Sequence, residues 1–77
     1  MLQATSIPYG HILKDGELVE DDLEQRVLAH LEIWWANGLS YDRMAEKLNL
    51  MNIFTKRNAV WKGATISRIL ARERGSL

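Results

Sequence analysis

Residues 21–36 read DDLEQRVLAHLEIWWA, with Leu23, Val27, Leu31 and Trp34 recurring at helical spacing and Leu28 and Trp35 widening the stripe. One face is therefore suited to a core and the other to water. Glu20, Asp21, Asp22 and Glu24 crowd the first turn, where the positive end of the helix dipole favours carboxylates. Dipole compensation accounts for that cluster more simply than a metal site, for which the ligand spacing is missing. Gly38 stands just past the last turn and suits the left-handed residue that ends a helix. The pattern predicts a first helix over 21–36 that organises the core.

Further along the chain, Ser40 is an effective cap residue, and Tyr41, Met44, Ala45 and Leu48 fall on one face, predicting a helix over 41–50. Asn52 tolerates the left-handed conformation needed to leave it. A third helix is expected over 63–74, with Ile66, Ile69 and Leu70 inward and Ala64, Ser67, Arg68, Ala71 and Arg72 on the opposite side. Toward the N-terminus, Asp15-Gly16 supplies the positive backbone dihedrals of a tight hairpin turn, pairing Tyr9–Leu13 with Leu18–Val19. The expected architecture is mainly α, a small three-helix helix-turn-helix domain with an N-terminal β-hairpin. Residues 1–7 are expected to be a flexible terminus, 8–74 the domain and 75–77 a tail. Leu23, Val27, Leu31, Trp34, Leu48, Ile66, Ile69 and Leu70 form the expected core.

Composition narrows the function classes. A chain of 77 residues with 47% hydrophobic side chains and one proline makes a single folded unit. Its apolar runs fall far short of a membrane span. The absence of cysteine excludes disulfides and thiolate metal sites, and no secretory pattern opens the chain. A cytoplasmic setting without cofactor is expected. His11 and His30 have no partner at metal-ligand spacing. Ser6, Ser40, Ser67 and Ser76 have no general base placed by sequence, so no enzyme is expected.

The zero net charge hides a polarity. In residues 1–39, Lys14 and Arg26 stand against seven acidic residues, a net of −5, and in residues 40–77 eight Lys and Arg outweigh Asp42, Glu46 and Glu73, a net of +5. One end can face a polyanion while the other is repelled by it. The alternative is ordinary surface pairing between the halves. Thr55, Lys56, Arg57 and Asn58 form a basic polar loop, joined by Lys62, that suits phosphate contacts. Arg68 and Arg72, one turn apart among small residues, suit base edges or phosphates. Each of these sets also fits a solvated surface. Trp61 either stacks on a base or packs over the helix junction.

The chain resembles the recombinase domain, the DNA-binding module that follows the catalytic domain in large serine recombinases. The resemblance rests on Pro8-Tyr9-Gly10, on Asp15 through Asp21, on Glu24, on Gly38-Leu39-Ser40, and on Met44-Ala45 and Leu48-Asn49. It continues through Ile53, Thr55, Trp61 and Thr65-Ile66-Ser67-Arg68-Ile69-Leu70, in order and spacing. It implies a helical domain whose last helix and adjoining loop lie near attachment-site DNA, and it places Thr65 and Ser67 beside Arg68. It also makes Trp61 a core anchor. The chain departs from the family at His11 (usually tyrosine), Asn52 (often glycine) and Lys62 (often a capping serine). Leu50 and Met51 replace a usually polar connection, and the proline-and-tyrosine segment expected after the last helix is missing.

The expected function is a non-catalytic protein that binds double-stranded DNA, a mobile-element-derived recombination accessory or transcription regulator. The alternative is a protein-interaction module keeping the fold without DNA affinity. A homodimer through Leu50, Met51 and an exposed tryptophan is expected on either reading.

Overall fold

A computed structural model describes residues 7–75. The expected flexible stretch 1–7 lies, apart from Ile7, outside the described residues, as do residues 76 and 77 of the expected tail. A hairpin of β1 (His11–Lys14) and β2 (Glu17–Glu20) precedes three helices, α1 (Asp22–Ala36), α2 (Tyr41–Leu50) and α3 (Gly63–Glu73). The hairpin pairs antiparallel, with Ile12 opposite Val19 and Leu13 opposite Leu18. Its turn places Asp15 at φ 52° and Gly16 at φ 81°, both in the left-handed region that a two-residue turn of this hand requires.

The helix limits follow from local chemistry. The Asp21 carboxylate accepts from the Glu24 backbone nitrogen at 2.9 Å and caps α1, and Ser40 Oγ accepts from Arg43 N at 3.2 Å and caps α2. Gly38 at φ 86° and Asn52 at φ 58° turn the chain out of α1 and α2. Helices α1 and α2 are joined by the short turn 37–40, whereas α2 and α3 are joined by the longer connection 51–62. Asn49 holds the end of that connection like a strand partner: its side chain accepts from Trp61 N at 2.8 Å and donates to Trp61 O at 3.0 Å.

The core consists of Val27, Leu28 and Leu31 from α1, Met44, Ala45 and Leu48 from α2, Ile66 and Leu70 from α3, and Trp61. Trp34 and Ile69 pack against it half-buried. Leu23 corrects the expected core, because it is 62% exposed. Taking about 100° per residue, the line through Val27, Leu28 and Leu31 passes through Glu24, with Leu23 well off its axis. The core-facing position of the first turn thus carries a carboxylate. Tyr41, expected on the inner face of α2, is exposed. Among the described residues no helix is long and apolar enough to cross a membrane.

Candidate nucleic-acid interface

The outer surface of α3, the loop 55–62 and the segment Ile7–Tyr9 enclose an open concavity of about 460 Å³. Thr55, Lys56, Arg57, Lys62, Thr65 and Arg68 line it together with Tyr9 and Ile69. A smaller concavity of about 160 Å³ adjoins it along α3, sharing Tyr9, Thr65, Arg68 and Ile69 and adding Arg72 and Glu73. Arg68 borders both. Most of the expected contact residues therefore converge on one surface. Ser67 does not: it lies half-buried on the other flank of α3, about 100° from Arg68.

The basic residues divide into free and engaged. Arg57, Lys62, Arg68 and Arg72 are exposed and enter no ion pair among the described residues. Lys56 also lines the concavity, but it is engaged: its ammonium lies 2.9 Å from Glu24 Oε1 and donates to the His11 carbonyl at 2.6 Å.

The loop tip closes on itself. Thr55 N donates to Ala59 O at 3.0 Å and Asn58 N to Thr55 O at 2.8 Å, while Thr55 Oγ1 accepts from Ala59 N at 3.1 Å. Thr55 is thus half-buried and occupied within the turn. Asn58, at φ 62°, is exposed and turns the chain back.

At the N-terminus of α3, Lys62 occupies the cap position without a side-chain cap bond. A Cβ at Gly63 would collide with the Asp42 carboxylate, which shows how closely α2 approaches that helix end. An acidic group therefore stands beside the start of α3, while Arg57, Lys62, Arg68 and Arg72 lie along its outer face and on the loop.

Trp61 is buried, with the Tyr9 ring edge-on to it at 5.3 Å between centroids. It packs over the helix junction, and base stacking is not available to it. Burial, together with the Glu24 and Asp21 carboxylates, holds the Tyr9 phenol above its ordinary pKa, so it is neutral throughout the physiological range. Trp35 is exposed at one edge, but the Arg74 guanidinium lies over it at 3.8 Å and pairs with Glu32 at 3.2 Å. Of the residues expected at a dimer contact, Leu50 and Met51 are exposed at the end of α2, and Trp35, in the last turn of α1, is exposed beneath Arg74.

The interactions that sequence reasoning missed are Glu24 with Lys56, Asn49 with Trp61, and Arg74 over Trp35. Of these, Glu24 alone left a signal, as the one acidic residue of the first turn in line with Val27, Leu28 and Leu31. Comparison with protein-family models, curated proteins and solved structures finds no match.

Proposed function

We propose that the chain is a non-catalytic, helix-turn-helix type domain that binds double-stranded DNA through the outer face of α3 and the loop 55–62. The observation that carries this reading is the gathering of four exposed cations without acidic partners, Arg57, Lys62, Arg68 and Arg72, around one surface. An arginine fork on a helix face that also carries the small, exposed Ala64 and Ala71 matches a guanine edge in the major groove. Lys62 and Arg57 suit phosphates, which fix register and supply salt-sensitive affinity. The resemblance to the recombinase domain points the same way. On this reading the protein is a recombination accessory or a transcription regulator working in the cytoplasm, and α2 with α3 is the helix-turn-helix pair, joined by an extended connection in place of the usual short turn.

Fluorescence anisotropy against a mixed-sequence duplex at two salt concentrations tests this. Arg68→Ala is expected to cost about 1–3 kcal/mol of binding if Arg68 meets a base edge. Absence of duplex binding by the wild-type protein at low salt would refute the reading.

A second reading, a protein-interaction module, is favoured by Leu50, 79% exposed at the end of α2, with Met51 exposed beside it. Self-association in sedimentation equilibrium, lost in Leu50→Asp and accompanied by no duplex binding, would establish it instead.

A further inference from the structure

Glu24 occupies an unusual place for a carboxylate. It lies on the core-facing line of α1 and its side chain is only 16% exposed. A charge so placed is tolerated only where donors surround it. Two do: Gly10 N donates to Oε1 at 2.8 Å, and Lys56 Nζ sits 2.9 Å from the same oxygen. Lys56 reaches there from the tip of the loop, passing the Tyr9 ring at 6.0 Å and donating also to the first residue of β1. Its side chain is 28% exposed. Among the described residues, the loop 55–59 has no hydrogen bond or ion pair to the rest of the fold except those of Lys56.

We propose that Lys56 is a positioning residue: pinned to Glu24 and the His11 carbonyl, it holds the loop 55–59 in one orientation so that Arg57 faces the same way as Lys62 and Arg68. The inference rests on the DNA-binding reading and deepens it, dividing the basic loop into one residue that meets phosphate and one that fixes where it meets it. The opposite signs of Lys56 and Glu24 are used up within the fold. Lys56 therefore releases no counterion from DNA, whereas Arg57 does. Holding the loop in advance removes an ordering cost that binding would otherwise bear.

The experiment compares Lys56→Met, Glu24→Gln, their double variant and Arg57→Ala by anisotropy with a fixed duplex over a salt series, alongside ¹⁵N relaxation of Arg57 and Asn58 in the free proteins. Lys56→Met is expected to weaken binding about tenfold with an unchanged salt slope and to mobilise the amides of Arg57 and Asn58. Glu24→Gln should act in the same direction, and the double variant should be no worse than the more affected single. Arg57→Ala should lower the slope by about one and leave the loop ordered. The inference is overturned if Lys56→Met lowers the slope by about one with the loop still ordered, or if Glu24→Gln tightens binding by releasing Lys56. If Lys56→Met does not fold, Lys56→Arg replaces it: a phosphate contact would keep full affinity, whereas the pin predicts a loss without slope change, since a guanidinium does not fit a site built for an ammonium. If the wild-type protein binds no duplex, the DNA-binding reading fails on its own, and the relaxation data alone then decide whether Lys56 holds the loop.

Discussion

Gly10 shows how closely single residues are specified. It is buried at φ 105°, and a Cβ there would stand 2.7 Å from Leu28 Cδ1 and 2.8 Å from Gln25 Nε2. Its nitrogen serves Glu24 and its carbonyl accepts from Asp21 N and Gln25 Nε2. Gly10→Ala combines backbone strain with overpacking and is expected to destabilise by about 2–4 kcal/mol, read as a lower urea midpoint at unchanged m-value. Tyr9 carries the clearest pH signature. Its phenol ionises near 10.0 when unfolded and only at higher pH when folded. Above about pH 10 the unfolded chain alone loses the proton, so stability is full below that pH and falls as pH rises. Tyr9→Phe should match the wild type in stability at pH 7 and lose less of it above pH 10, as followed by denaturation across that range. An equal alkaline loss in the variant would remove Tyr9 as the cause.

Among the elements, α3 is the one whose start sets stability against the proposed role. Helices α1 and α2 each begin with a side chain accepting from the first turn, but α3 begins at Lys62 without such a bond. A serine there would cap the helix, at a gain of about 1 kcal/mol, and would remove a cation from the candidate interface. Lys62→Ser is therefore expected to raise the thermal midpoint while weakening duplex binding and lowering the salt slope by about one. A variant more stable and equally tight in binding would separate Lys62 from the interface. The far end of α3 is tied differently, by Arg74 lying over Trp35 and pairing with Glu32.

Across the whole molecule, charge is sorted by position. Asp15, Glu17, Glu20 and Asp22 lie exposed on the hairpin and the start of α1 and outnumber Lys14 and Arg26 there, while four exposed cations outside any ion pair among the described residues, Arg57, Lys62, Arg68 and Arg72, lie on α3 and its preceding loop. Such a separation orients an approaching domain toward a polyanion and turns the acidic end away. With four phosphates neutralised at roughly −0.9 each, log K against log salt is expected to fall with a slope of about −3 to −4. A slope near zero in the anisotropy titration would mean that affinity does not come from these cations.

The elements themselves were legible from local rules. Periodicity, the Ser40 cap, Gly38, Asn52 and the Asp15-Gly16 turn act within a few residues of their own positions, and each is found where local chemistry puts it. Helix geometry alone likewise puts Arg68 and Arg72 on one side of α3, whereas Arg57 and Lys62 come beside Arg68 only through the fold of the connecting loop. Tertiary structure decided which residues of those elements are occupied. Helix rotation puts Glu24, not Leu23, in line with Val27, Leu28 and Leu31, but only the packing of α1 against its neighbours gives that inward carboxylate its partners. Lys56 was indistinguishable from Arg57 in the chain, since its partner Glu24 and the His11 carbonyl are far away in sequence and meet it only once the hairpin, α1 and the loop are folded together.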